Sequence, residues 1–172
     1  VLKLKVKEKL GWGATIKIVS SRTGLTVIKN RITNVSLTEI VKALYDDTDL
    51  VIKYVAFGTS NKVLDDTDTT LDNEIFRVPV ISWAPLGYGQ MQSFAIMNGD
   101  EPDYAPYNGA VNIEETGNSI REIGWFCGSA AAAWGGGAGK DTGLMLSRIL
   151  LTKNKQFGEE YQITRVDQID RS

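Results

Sequence analysis

Only one stretch of this chain has the period of a helix. In SLTEIVKALYDD, Leu37, Ile40, Val41, Leu44 and Tyr45 recur at i, i+3, i+4, i+7 and i+8, which aligns them as a single apolar stripe. Ser36 and Glu39 have the spacing of a capping box, in which each side chain satisfies a free backbone N–H at the helix start. Asp46 and Asp47 oppose the helix dipole at the other end, so the pattern predicts one short helix over about 36–46. Elsewhere the apolar residues alternate. Leu2, Leu4 and Val6 alternate with Lys3, Lys5 and Lys7, the pattern of an N-terminal strand with a lysine face. Ala14, Ile16 and Ile18 lead into the turn residues Ser20–Gly24 and then LTVIK, which reads as a hairpin. Further strands are predicted at Val51–Phe57, Ile75–Trp83, Tyr88–Met97, Ala110–Glu115, Ser119–Phe126, Gly143–Leu151 and Glu159–Val166. Pro79 marks an edge or a bulge, and the unbroken apolar run of Gly143–Leu151 a strand buried on both faces. About nine strands and one helix, without βαβ alternation, predict a mainly β fold: an antiparallel sandwich or barrel-like domain carrying one short helix.

A length of 172 residues predicts one domain over 1–172, with a strand and hairpin over 1–30 leading into the rest, and is enough to bury a core without staples. The net charge of -2 offers no basic field to nucleic acid, and no apolar run reaches the ~18 residues of a membrane span. The start is too charged for a signal peptide, and its lack of Met points to processing or a trimmed beginning. Cys127 is the only cysteine, which excludes an internal disulfide framework. There is no histidine, which removes Ser-His-Asp and Cys-His machinery and histidine metal sites, and shifts the expectation from catalysis to binding or structure.

The stretch AAAAWGGGAGKDTG invites comparison with a phosphate-binding loop. The Walker pattern requires Gly at 134 and Ser or Thr at 141, where the chain has Trp134 and Asp141. A Rossmann fingerprint counted from Gly135 requires Gly at 140, where Lys140 stands. What remains is a small-residue loop between two core strands. Its Trp134 is either an interface anchor or a side chain that folds back on its own sheet. Asp65, Asp66, Asp68 and Asp72 invite a calcium reading, but the EF-hand Gly and Glu positions hold Leu71 and Arg77 counted from Asp66, or Thr70 and Phe76 counted from Asp65. These residues, and Asp100, Glu101 and Asp103, read as solvated turns. Glu114 and Glu115 point to opposite faces of one strand, so they cannot converge on a glycosidic bond. Cys127, beside Trp125 and Phe126, reads as a small buried hydrophobe. No catalytic, cofactor or metal residue is predicted.

Two segments in order, VAFGTSNKVLDDTDTTLDNEIFRVPV and SIREIGWF, carry a resemblance. They include Gly58, then Thr70, Leu71 and Glu74, then Phe76-Arg77, and later Arg121-Glu122-Ile123-Gly124-Trp125. In this order and spacing they resemble the N-terminal region of tail-collar and tail-fibre proteins of tailed bacteriophages, over roughly 51–151. The resemblance implies a non-enzymatic virion component that assembles with other virion subunits, including its own copies, on the tail, baseplate or collar side. A head decoration protein and a carbohydrate-binding host-recognition module, the latter with Tyr104, Tyr107, Asn108 and Trp134 as its platform, are the alternatives. It implies scaffold roles for Gly58, Glu74, Arg77, Arg121, Glu122 and Gly124. The chain is shorter than a fibre with shaft and tip, so a small separate component is expected. The expected assembly contacts are Lys3, Lys5, Lys7, Asp65, Asp66, Asp68, Trp134 and Lys140.

Overall fold

The computed structural model describes residues 10–30, 32–43, 45–46, 49–101, 119–131, 139–156 and 158–171. The strands predicted at Leu2–Val6 and Ala110–Glu115 therefore lie outside the described residues. Among the described residues eight strands follow one another: β1 (Leu10–Ser20), β2 (Gly24–Asn30), β3 (Tyr54–Gly58), β4 (Glu74–Gly87), β5 (Gln90–Met97), β6 (Ile120–Cys127), β7 (Leu144–Lys153) and β8 (Tyr161–Arg171). One helix, α1 (Asn34–Ala43), sits between β2 and β3. The sheet order is β2-β1-β8-β5-β4-β3-β6-β7, every pair antiparallel, and the sheet curls until it is nearly a closed barrel.

Period two builds the interior. Ile16 is opposite Arg165, Arg165 opposite Ser93, and Ser93 opposite Trp83. On the other half of the barrel Val78 is opposite Val55, Val55 opposite Trp125, and Trp125 opposite Ser147. The inward positions of these strands form one apolar core, including Ile16, Ile18, Phe57, Phe76, Met97 and Trp125. β7 is buried on both faces from Met145 to Ile149, as its unbroken apolar run implies.

Pro79 has a defined role. β4 pairs with β3 up to Tyr54–Pro79 and with β5 from Val80–Ala95 onward, with a bulge between Val80 and Ser82. The proline, which has no N–H for a ladder, stands where the strand changes partners and bends round the barrel. β4 runs on to Gly87, past the predicted end at Trp83. Tyr88 belongs to the turn and not to β5.

The helix differs from its pattern in a way that matters. Its cap is Thr33, whose Oγ1 accepts the Ser36 N–H at 3.2 Å, and the first helical residue is Asn34, not Ser36. Ser36 instead turns its hydroxyl to the free edge of β7, toward Leu146 O at 2.7 Å and Met145 O at 3.1 Å. With the Thr33 N–H donating to Leu146 O at 3.4 Å, this bridges part of the seam between β2 and β7. Because that face is the tethered one, the apolar stripe looks outward: Leu37 is 45% exposed, Val41 56% and Tyr45 86%. Glu39, expected in the capping box, pairs with Lys42 at 2.6 Å. No described helix is long and apolar enough to cross a membrane.

Candidate functional site

The outer face of β3, β4, β6 and β7 carries two buried ion pairs, and each holds down a loop. Glu122 is fully buried. Its carboxylate accepts Arg148 Nε at 2.8 Å and the backbone N–H groups of Asn73 at 2.8 Å and Asp72 at 3.1 Å. Arg148 reaches on to Asp68 at 2.7 Å and to the Lys62 carbonyl at 3.2 Å. The segment 59–73 is thus fastened by both members of the pair. A Cβ on Gly58 would lie 2.6 Å from Asn73 O and would also strike the Glu122 carboxylate, so this glycine makes room for the fastening. At Gly124 a Cβ would meet Leu71 Cδ2 at 2.9 Å, where the same segment plugs a second apolar cluster of Ala56, Leu71, Phe126 and Met145.

The second pair is Glu74–Arg77, with 2.6 and 2.7 Å contacts of fork-to-fork geometry. Arg77 lies over the ring of Phe126, its Cζ 4.5 Å from the centroid. Its remaining donor reaches the carbonyls of Ala131 at 3.1 Å and Thr142 at 3.2 Å, the two feet of the glycine-rich loop. Glu74 also accepts the Asp141 N–H at 3.3 Å. Asp141 sits at φ 57, a left-handed position that Asp tolerates. The segment after the loop is strand β7, not the helix a phosphate-binding loop would open. The small residues 132–138, with Trp134, lie outside the described residues.

The interior has its own charges, which the sequence reading missed. Arg165, completely buried, donates to both oxygens of Asp167, at 2.8 Å from Nε and 2.6 Å from Nη2, and also to Ser147 Oγ. Its Cζ is 5.2 Å from the centre of the Trp125 ring. Trp12 donates its indole N–H to Asp167 at 3.1 Å. Above this network the barrel end opens into a cavity of about 570 Å³. Trp12, Ile52, Trp83, Met91, Leu146 and Ile169 supply apolar wall, and among the described residues Asp167 is its one charged lining residue.

Beside the cavity stands the distal half of the β4–β5 hairpin, where Ile81 is 54%, Trp83 48% and Leu86 49% exposed, and Tyr88 is fully so. The indole N–H of Trp83 is tied down, to Ile52 O at 3.0 Å. No charged residue occurs from Val78 to Gly99.

The other expected contacts scatter. Lys3, Lys5 and Lys7 lie outside the described residues, as do Glu114, Glu115, Tyr104, Tyr107 and Asn108. Asp65 and Asp66 are exposed and Lys140 half-buried. Hydrogen bonds from the Thr67 hydroxyl and N–H hold the Asp65 carboxyl below its ordinary range. Asp68 is occupied by Arg148 rather than free for a neighbour. Arg121 is exposed, and among the described residues it makes no ion pair, whereas Glu74, Arg77 and Glu122 are buried clamps. Burial pushes the Cys127 thiol up to about 12, which leaves it protonated and inert at neutral pH. Among the described residues no group of three or more His, Cys, Asp and Glu is arranged to hold a metal ion. Compared with models of protein families, with curated proteins and with solved structures, the chain matches none.

Proposed function

We propose that this chain is a non-enzymatic structural component of a tailed bacteriophage particle, assembling with other virion subunits on the tail, baseplate or collar side. The observation that carries the reading is the barrel end. There an uncharged hairpin exposes Ile81, Trp83, Leu86 and Tyr88 beside an open apolar cavity. Large exposed apolar side chains gathered on one hairpin mark a contact site. The residues of the tail-collar-like motif support the reading from the other side. Gly58, Glu74, Arg77, Glu122 and Gly124 all hold loops to a rigid barrel, which is scaffold work. Mass spectrometry of purified particles tests the proposal, with antibody labelling of intact particles in the electron microscope. The chain is expected among the particle proteins, with label on the tail. Label on the head moves the role to head decoration, and absence from particles overturns it.

A further inference from the structure

The barrel end is unfinished in a single copy. Past Pro79 the β4 strand leaves β3 and pairs with β5 alone, so its other edge and the apolar side chains of Ile81, Trp83 and Leu86 are left in water. Charges are the usual means of keeping an exposed edge soluble, and this hairpin has none. Tyr88 is fully exposed, so it does not fill the cavity of its own barrel.

We infer that a second copy of this chain covers this end, seating the hairpin tip, Leu86 and Tyr88, in the cavity of its neighbour. The inference rests on the assembly role proposed above and names one partner for it. Electrostatics select the partner. The tip is uncharged, and Asp167, the single carboxylate in the cavity wall among the described residues, is already neutralised by the buried Arg165. A strongly charged peptide or a polyanion finds no counter-charge there, whereas an uncharged tip loses none on entry. The polar detail fits as well. Asp167, Gln92 and Ser93 line the cavity and offer acceptors to the phenol O–H of Tyr88. The cavity size lies within the range of sites that enclose a compact ligand, about 300–1,000 Å³. We take the contact as one-way, the knob of one copy entering the hole of the next, which makes it head-to-tail and lets it propagate into a ring or a filament.

Sedimentation velocity and light scattering on the full chain test this. Wild type is expected to grow beyond a dimer as its concentration rises. Tyr88→Glu spoils the knob and Val51→Glu the hole. Both positions are solvent-exposed, Val51 at 53%, so both variants are expected to keep the wild-type circular dichroism and melting temperature. Each alone is expected to weaken association about 30-fold or more, the loss typical of an interface anchor. Mixed, they retain one sound knob and one sound hole, and are expected to form a one-to-one heterodimer that grows no further. Wild type that stays monomeric up to about 1 mM, at the weak end of measurable affinity, overturns the inference. So does normal association of Val51→Glu, or a mixture that remains monomeric. A chain found in particles yet monomeric alone sinks this inference and leaves the proposed function standing. A chain that self-associates as described yet is missing from particles does the reverse.

Discussion

The two ends of β4 are built on opposite principles. At its start, Glu74 and Arg77 are buried, paired and joined to the backbone of a loop, and Glu122 with Arg148 repeats the arrangement on β6 and β7. Burying charges costs free energy that their attraction repays only when every remaining donor and acceptor is also satisfied. Here the spare donors and acceptors go to loop backbone, so the outer face is complete within one chain. Past Pro79 the same strand enters a region without charge, where large apolar side chains stay in water. One region has its partners folded onto it, and the other lacks them. The contrast teaches that buried charge here marks finished structure, and that the exposed apolar surface is where the proposed assembly would place a neighbour.

Substitutions can break each side of the comparison in turn. Glu122→Ala leaves Arg148 buried without its main partner and frees three loop N–H groups, those of Ser60, Asp72 and Asn73. It is expected to cost about 3–5 kcal/mol in chemical denaturation and to open 59–73 to proteolysis. Arg77→Met leaves Glu74 unpaired and releases the feet of the 131–142 loop. About 3 kcal/mol is expected, with cleavage confined to that loop. If either variant is as stable and as protease-resistant as wild type, the clamps are ornamental.

A smaller effect is expected at Glu159, which joins the β1–β2 turn to the segment before β8. Burial pushes its carboxyl up, but hydrogen bonds from Ser20 Oγ, the Gln156 N–H and Arg22 outweigh burial and hold it below the ordinary 4.5. A lowered folded value means that stability is fully present above 4.5 and drains as pH falls below it. Glu159→Gln should flatten the stability-against-pH curve in that acid range, and an unchanged curve removes this staple from the account. Tyr88→Glu should move stability least, within about 0.5 kcal/mol, because it touches the unfinished side only.

Much of the fold was legible because it depends on period. Alternation placed the strands, the unbroken run of β7 announced burial on both faces, and Pro79 marked the bend. The helix was legible as a helix but not in its orientation. The stripe of Leu37, Val41 and Tyr45 suggests burial, and only the tether from Ser36 to the β7 edge turns it outward. Glu74, Arg77 and Glu122 could be named from their motif, yet Arg148, which completes one pair, lies 26 residues from Glu122 in sequence. Arg165 and Asp167 share the inward face of β8 with Ile163 and Ile169. That period-two position was the available signal for a buried ion pair. The barrel end was missed because Trp12, Trp83 and Ile169 meet only once the sheet curls.

Hydrogen exchange followed by mass spectrometry over a dilution series of the wild-type chain tests the contrast most directly. The account predicts that 59–73 and 139–143 stay protected at every concentration, while 81–92 exchanges faster when dilute and slows as concentration rises. Exchange in 81–92 that does not respond to concentration, or rapid exchange throughout 59–73, would contradict it.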